Sequence, residues 1–135
     1  MKIQSVLIGL LAASISGEVL AQDDATADEL NDQLAYATSI IAPALTELCT
    51  PLVPTYPTEL DASFQEWLTR NRESIDRGKQ MEISHLWPGK TIGEFEQLTI
   101  EATRDSFNAG TDEQRRERCN GTLMLLSSDA GAGGV

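Results

Sequence analysis

The chain has 135 residues, with 21 acids against 10 Lys and Arg, one His, two Cys and a formal net charge of −11. Such acidity argues against a phosphate-backbone binder, which requires a basic surface, and favours solubility or a basic partner. A single histidine, His85, also excludes a two-histidine metal site and a catalytic pair that needs a second imidazole.

Met1 to Ala21 begins with one Lys, passes through an apolar run (Val6, Leu7, Ile8, Leu10, Leu11, Ala12, Ala13) and ends at Val19-Leu20-Ala21. That pattern is a secretory signal peptide. A membrane anchor requires about 18 unbroken apolar residues, and Ser14, Ser16, Gly17 and Glu18 interrupt this run. Residues 1–21 are thus read as signal peptide, 22–128 as one helical domain and 129–135, rich in Gly and Ala, as a disordered tail. No second hydrophobic run follows, so stable membrane insertion after cleavage is not expected, and the product is placed in the periplasm or outside the cell. In an exported chain, Cys49 and Cys119 are expected to form a disulfide rather than a metal or redox pair. The bridge closes a loop of about 70 residues, equivalent to roughly 4 kcal/mol in the chain-entropy account.

The first helix is expected over 24–48. Its start carries Asp23, Asp24, Asp28, Glu29 and Asp32, carboxylates that interact favourably with a helix N-terminus. Apolar residues then recur at Leu30, Leu34, Ala37, Ile41, Leu45 and Leu48, a helical period. Pro43 lacks an N–H and crowds the preceding turn, so a kink or interruption is expected near Ser39 to Pro43. Pro51, Pro54 and Pro57 make an extended connector.

The second helix, 58–79, is the one the others must cover. Thr58 and Asp61 offer a variant capping box, and Leu60, Phe64, Trp67, Leu68 and Ile75 share one side. Exposed pairs four residues apart (Glu66 with Arg70, Arg72 with Asp76, Glu73 with Arg77) contribute only tenths of a kcal/mol each. Gly78 is read as lying near its end, although Met81 and Ile83 could extend it. Pro88-Gly89 marks a turn. A third helix, 91–108, opens on Thr91 and Glu94, with Phe95, Leu98 and Ala102 as one apolar stripe. A fourth, 112–127, opens on Thr111 and Gln114 and carries Cys119, Leu123 and Leu126. Gly121 inside it suggests close backbone packing beside the disulfide. The expected architecture is all-α, a compact four-helix bundle around Phe64, Trp67, Leu68, Leu98, Leu123 and Leu126.

No nucleophile–base pair, metal-ligand cluster or phosphate loop is legible, so no catalytic residue, metal or cofactor is assigned and the protein is not read as an enzyme. The aspartates at 23, 24, 28 and 32 lack the frame of a calcium loop. Charge is segregated, however: no Lys or Arg occurs between Lys2 and Arg70, whereas nine acids lie from Asp23 to Glu66. Asp23, Asp24, Asp28, Glu29 and Asp32 are therefore expected to steer a basic protein partner. Tyr56 in the proline connector and Trp87 in the Pro-Gly turn are the aromatic candidates for its anchor. The competing reading of Trp87 is a plug for one end of the bundle.

Cys49, the proline connector, Phe64-x-x-Trp67-x-x-Arg70-Asn71 and a second Cys in the last helix resemble small exported single-disulfide helical proteins of Gram-negative bacteria. In size, helical build and export the chain also resembles periplasmic immunity proteins that block cell-wall-degrading toxins. That resemblance implies an inhibitor or immunity role; the alternative is a periplasmic stress or chaperone-like protein.

Overall fold

A computed structural model describes residues 27–128. The signal-peptide segment, Asp23, Asp24 and the Gly/Ala tail lie outside these residues. Among the described residues the structure is entirely helical, in six segments: α1 over 27–44, α2 Thr46–Cys49, α3 Tyr56–Arg70, α4 Arg72–Ser84, α5 Ile92–Ala109 and α6 Asp112–Ser127. Six replace the expected four because two predicted helices are each divided.

The first division lies at Leu45. Pro43 cannot donate to the preceding turn, yet helix persists to residue 44 before a one-residue turn. Leu45 N–H still reaches the Ile41 carbonyl at 3.0 Å and Cys49 N–H the Leu45 carbonyl at 2.7 Å. Helical hydrogen bonding therefore runs on through the division, and Leu45 and Cys49 both belong to the core.

The second division lies at Asn71, whose dihedrals (φ −109, ψ 15) leave the helical region between α3 and α4. Its backbone N–H and its side-chain amide both bond the Trp67 carbonyl, at 3.0 and 2.9 Å. Asn competes with the helical ladder in this way because its short side chain carries both donor and acceptor. The start of α3 also differs from expectation. It begins at Tyr56 with Pro57 in the first turn, where the missing N–H costs nothing, so Thr58 lies inside the helix and caps nothing. Thr55 instead bonds the Glu59 carboxylate. The capping boxes at Thr91/Glu94 and Thr111/Gln114 form as expected, with both reciprocal bonds present.

The hydrophobic core joins Ala42, Leu45, Cys49, Tyr56, Leu60, Trp67, Phe107, Cys119, Leu123 and Leu126, with Phe64, Leu68 and Ile75 partly buried against it. The periodic face of the second predicted helix is thus the core face, and it continues past Asn71. Trp67 is wholly enclosed, and its indole N–H meets no acceptor among the described residues. Ring packing, including an offset stack on Phe64 with centroids 6.1 Å apart, is what holds it. Cys49 and Cys119 form the expected disulfide, S–S 2.07 Å, tying α2 to α6.

Two expected stripes are corrected. Leu98 is 52 % exposed, and α5 turns inward Phe95, Glu96, Thr99, Ile100, Thr103 and Phe107 instead. Leu34 is 60 % exposed, while Asp32, Ala35, Tyr36 and Ala42 are the buried residues of α1. Polar partners decide both rotations. Asp32 accepts from Arg77 Nε at 2.9 Å, Arg77 Nη2 at 3.1 Å and Ser74 Oγ at 2.6 Å, all on α4. Tyr36 stacks on Phe95 and donates its hydroxyl to Glu96 Oε2 at 2.6 Å. A buried carboxylate is tolerable only with such partners, and once they are made the apolar residues of α1 take whatever faces remain.

The Arg77 hydrogen bonds hold the Asp32 carboxyl below its ordinary value of 3.8, against the opposing effect of burial. A lowered folded-state pKa gives stability that is complete above the unfolded value and lost as pH falls through the folded one. Asp32→Asn is therefore expected to cost about 1–3 kcal/mol at neutral pH and to flatten the loss of stability below pH 3.8. Urea titrations at pH 7 and pH 3 check both; equal acid sensitivity in the two proteins would refute the assignment.

Candidate functional site

The Pro-Gly turn predicted from sequence is a tight one. Lys90 N–H bonds the Trp87 carbonyl at 3.0 Å, and Gly89, at φ 84, is the only positive-φ residue described. Pro at the second position and a left-handed Gly at the third make a type II turn. Its two ends present Trp87 and Lys90. The turn leads directly into the Thr91 cap of α5, so the end of α4 and the start of α5 are joined through Trp87-Pro88-Gly89-Lys90.

Between these elements lies a groove of about 330 Å³, lined by Glu82, His85, Leu86, Trp87, Lys90, Phe95 and Leu98. Trp87 is 76 % exposed, so it plugs nothing. Leu98, whose exposure contradicted its place in the core, forms part of the lining. Phe95 is the floor, braced from behind by the Tyr36 ring at 6.2 Å. Burial and then the Glu96 carboxylate push the Tyr36 phenol well above its ordinary value, and Glu82 adds to that effect. The hydroxyl thus stays a donor, and Glu82 and Glu96 both lie near it.

Ser84 and His85 border the groove, with Ser84 Oγ 3.2 Å from His85 Nδ1. They are not a nucleophile and base. His85 Nδ1 sits 2.7 Å from the Met81 carbonyl, which only accepts, so Nδ1 carries the proton. Ser84 Oγ donates to the same carbonyl at 2.7 Å. No group of three or more His, Cys, Asp or Glu positioned for a metal occurs among the described residues.

The other site candidates are dispersed. Asp28 and Glu29 are exposed. Asp32 is buried in its ion pair with Arg77 and offers no surface charge to a partner. Tyr56, expected as an exposed anchor, is completely buried, its hydroxyl bonded to the Ala42 carbonyl at 2.8 Å and its phenol pushed up to about 12 by burial. Sequence reasoning missed Leu86, Phe95 and Leu98 as groove residues. The available signal was Leu98 itself, an apolar residue on the flank of α5 toward the turn.

A second depression, between α3 and α6, mixes the polar Glu59, Ser63, Asn120 and Ser127 with Ala62, Leu123 and Met124 and contains no aromatic side chain. A third contains Arg115, but that guanidinium is already engaged with the Phe107 and Asn108 carbonyls and Asp112. The groove at Trp87 is the one that combines an exposed aromatic with a braced apolar floor. No protein-family model, no curated protein and no solved structure matches this chain.

Proposed function

We propose that this is an exported protein-binding protein, an inhibitor or immunity protein directed at a cell-wall-targeting toxin or enzyme, and that the groove at Trp87 is its contact surface. The observation that carries the reading is Trp87, 76 % exposed beside the 52 % exposed Leu98. A large apolar side chain left in water gains nothing from burial on folding, and tryptophan is enriched among the residues that dominate protein interfaces. The disulfide supports an oxidising compartment. The acidic balance, with Asp28 and Glu29 exposed, supports steering of a basic partner, which raises association rate more than final affinity.

The test is recovery of a wall-degrading enzyme from periplasmic extract on the immobilised protein, and its inhibition by the free protein. Trp87→Ala is expected to weaken the complex by about 2 kcal/mol or more with an unchanged melting temperature, because the ring contributes little to the core. Suppression of aggregation of many unrelated unfolded proteins, with no single enzyme inhibited, would replace this reading with a chaperone-like one.

A further inference from the structure

The groove's apolar floor accounts for an apolar guest, but its charges ask for something more. Residues 82–98 carry three carboxylates (Glu82, Glu94 and Glu96) and one cation, Lys90, in a chain of net charge −11, and of these Glu82 and Lys90 line the groove. Glu94 is occupied by the α5 capping box, accepting from Thr91 N–H at 2.8 Å. Glu96 accepts from Tyr36. Glu82 lines the groove itself and forms no ion pair among the described residues. Lys90 also lines the depression, so it is the exposed indole, Glu82 and the net charge of −11 together that favour a cation carried beside an aliphatic side chain. A guanidinium or ammonium gains from the tryptophan face, while a carboxylate at its edge supplies the countercharge.

Resting on the groove reading above, we propose that the partner inserts a segment in which a Leu- or Ile-like side chain is flanked by Arg or Lys. The aliphatic group lies on Phe95, Leu86 and Leu98, and the cation lies between Trp87 and Glu82. A depression of about 330 Å³ stands at the small end of the roughly 300–1,000 Å³ range of binding pockets. It holds a side chain or two rather than a whole helix, so recognition centres on that pair. Complementary charge selects it: an acidic segment would meet Glu82, with the negative field of the chain behind it.

Two amidated amphipathic peptides that differ only in charge, one of Leu and Lys and the other of Leu and Glu, provide the probes, with binding followed by fluorescence anisotropy of the labelled peptide. The Leu/Lys peptide is expected to bind and the Leu/Glu peptide to fail. Trp87→Ala should weaken the Leu/Lys peptide about tenfold or more. Glu82→Gln should weaken it about two- to fivefold at low salt, a difference that disappears as added salt screens exposed charges. Thermal melts of both variants, expected to be unchanged, show that the fold is intact. Equal binding of the two peptides, or indifference to Glu82→Gln, overturns the cationic anchor and leaves the groove reading standing. Indifference of the Leu/Lys peptide to Trp87→Ala overturns both, since the peptide would then be held by acidic surface elsewhere. No binding of either peptide also overturns the cationic anchor.

Discussion

Gly78→Ala is expected to separate α1 from α4 and to cost about 3 kcal/mol or more. A Cβ built at Gly78 would stand 2.1 Å from the Asp32 carbonyl oxygen, 2.7 Å from the carbonyl carbon and 2.9 Å from Tyr36 Cβ. Two of those three atoms are backbone, so no side chain can swing aside and a helix must move. Movement at that point also strains the Asp32–Arg77–Ser74 hydrogen bonds and the Tyr36 stack that braces the groove floor. The sign runs against helix propensity, which favours Ala over Gly by about 1 kcal/mol. Gly121→Ala is the matched control: a Cβ there meets nothing within 4 Å, so propensity acts alone and a gain of up to about 1 kcal/mol is expected. Urea denaturation of the two variants against the parent provides the measurement. A stable Gly78→Ala protein with its tyrosine environment unchanged would show that the two helices do not meet as described.

Loss of the disulfide is the other large effect. Cys49 and Cys119 are both wholly buried and belong to the core cluster. Their bond spans a sequence separation of 70, for which the loop-closure account gives about 4 kcal/mol. Against a total stability of about 5–15 kcal/mol for a domain of this size, Cys49→Ala/Cys119→Ala is expected to leave a marginal or unfolded protein. Reductant should act slowly on the folded chain and quickly once urea begins to open it, because burial withholds the sulfurs from attack. The check is the denaturation midpoint with and without reductant; a midpoint that does not move would show that α2 and α6 are held by packing alone. The same variant tests the groove indirectly. The disulfide lies in the core while the groove is braced through Tyr36 and Gly78, so a protein that survives reduction should lose stability before it loses peptide binding.

Much of this fold was legible in the chain itself. Apolar residues at 60, 64, 67 and 68 set the core side of α3 because a helical period leaves them one face to share. The Thr91 and Thr111 caps were readable because hydroxyl and carboxamide or carboxylate stand three residues apart, a purely local geometry. The disulfide followed from two cysteines in a chain read as exported, and the Pro88-Gly89 turn from the dihedral limits of those two residues. What failed depended on partners distant in sequence. Asn71 breaks the second helix because its amide has a buried carbonyl to bond, and nothing in the local pattern distinguishes that from an exposed Asn. The two glycines exchanged roles: Gly121, read as a packing site, faces open space, and Gly78, read as a helix end, is where two backbones touch. Asp32 looked like one of several surface acids until Arg77, 45 residues away, claimed it. Tyr56 looked like a loop aromatic until the Ala42 carbonyl took its hydroxyl. Local chemistry thus determined where helices begin, which side of α3 is apolar and where the chain turns. Only the tertiary structure decided which of the remaining side chains found a partner, and so left Trp87 and Leu98 together at the surface, because burial of α1 and α5 is set by a few long-range polar and aromatic contacts rather than by hydrophobic count.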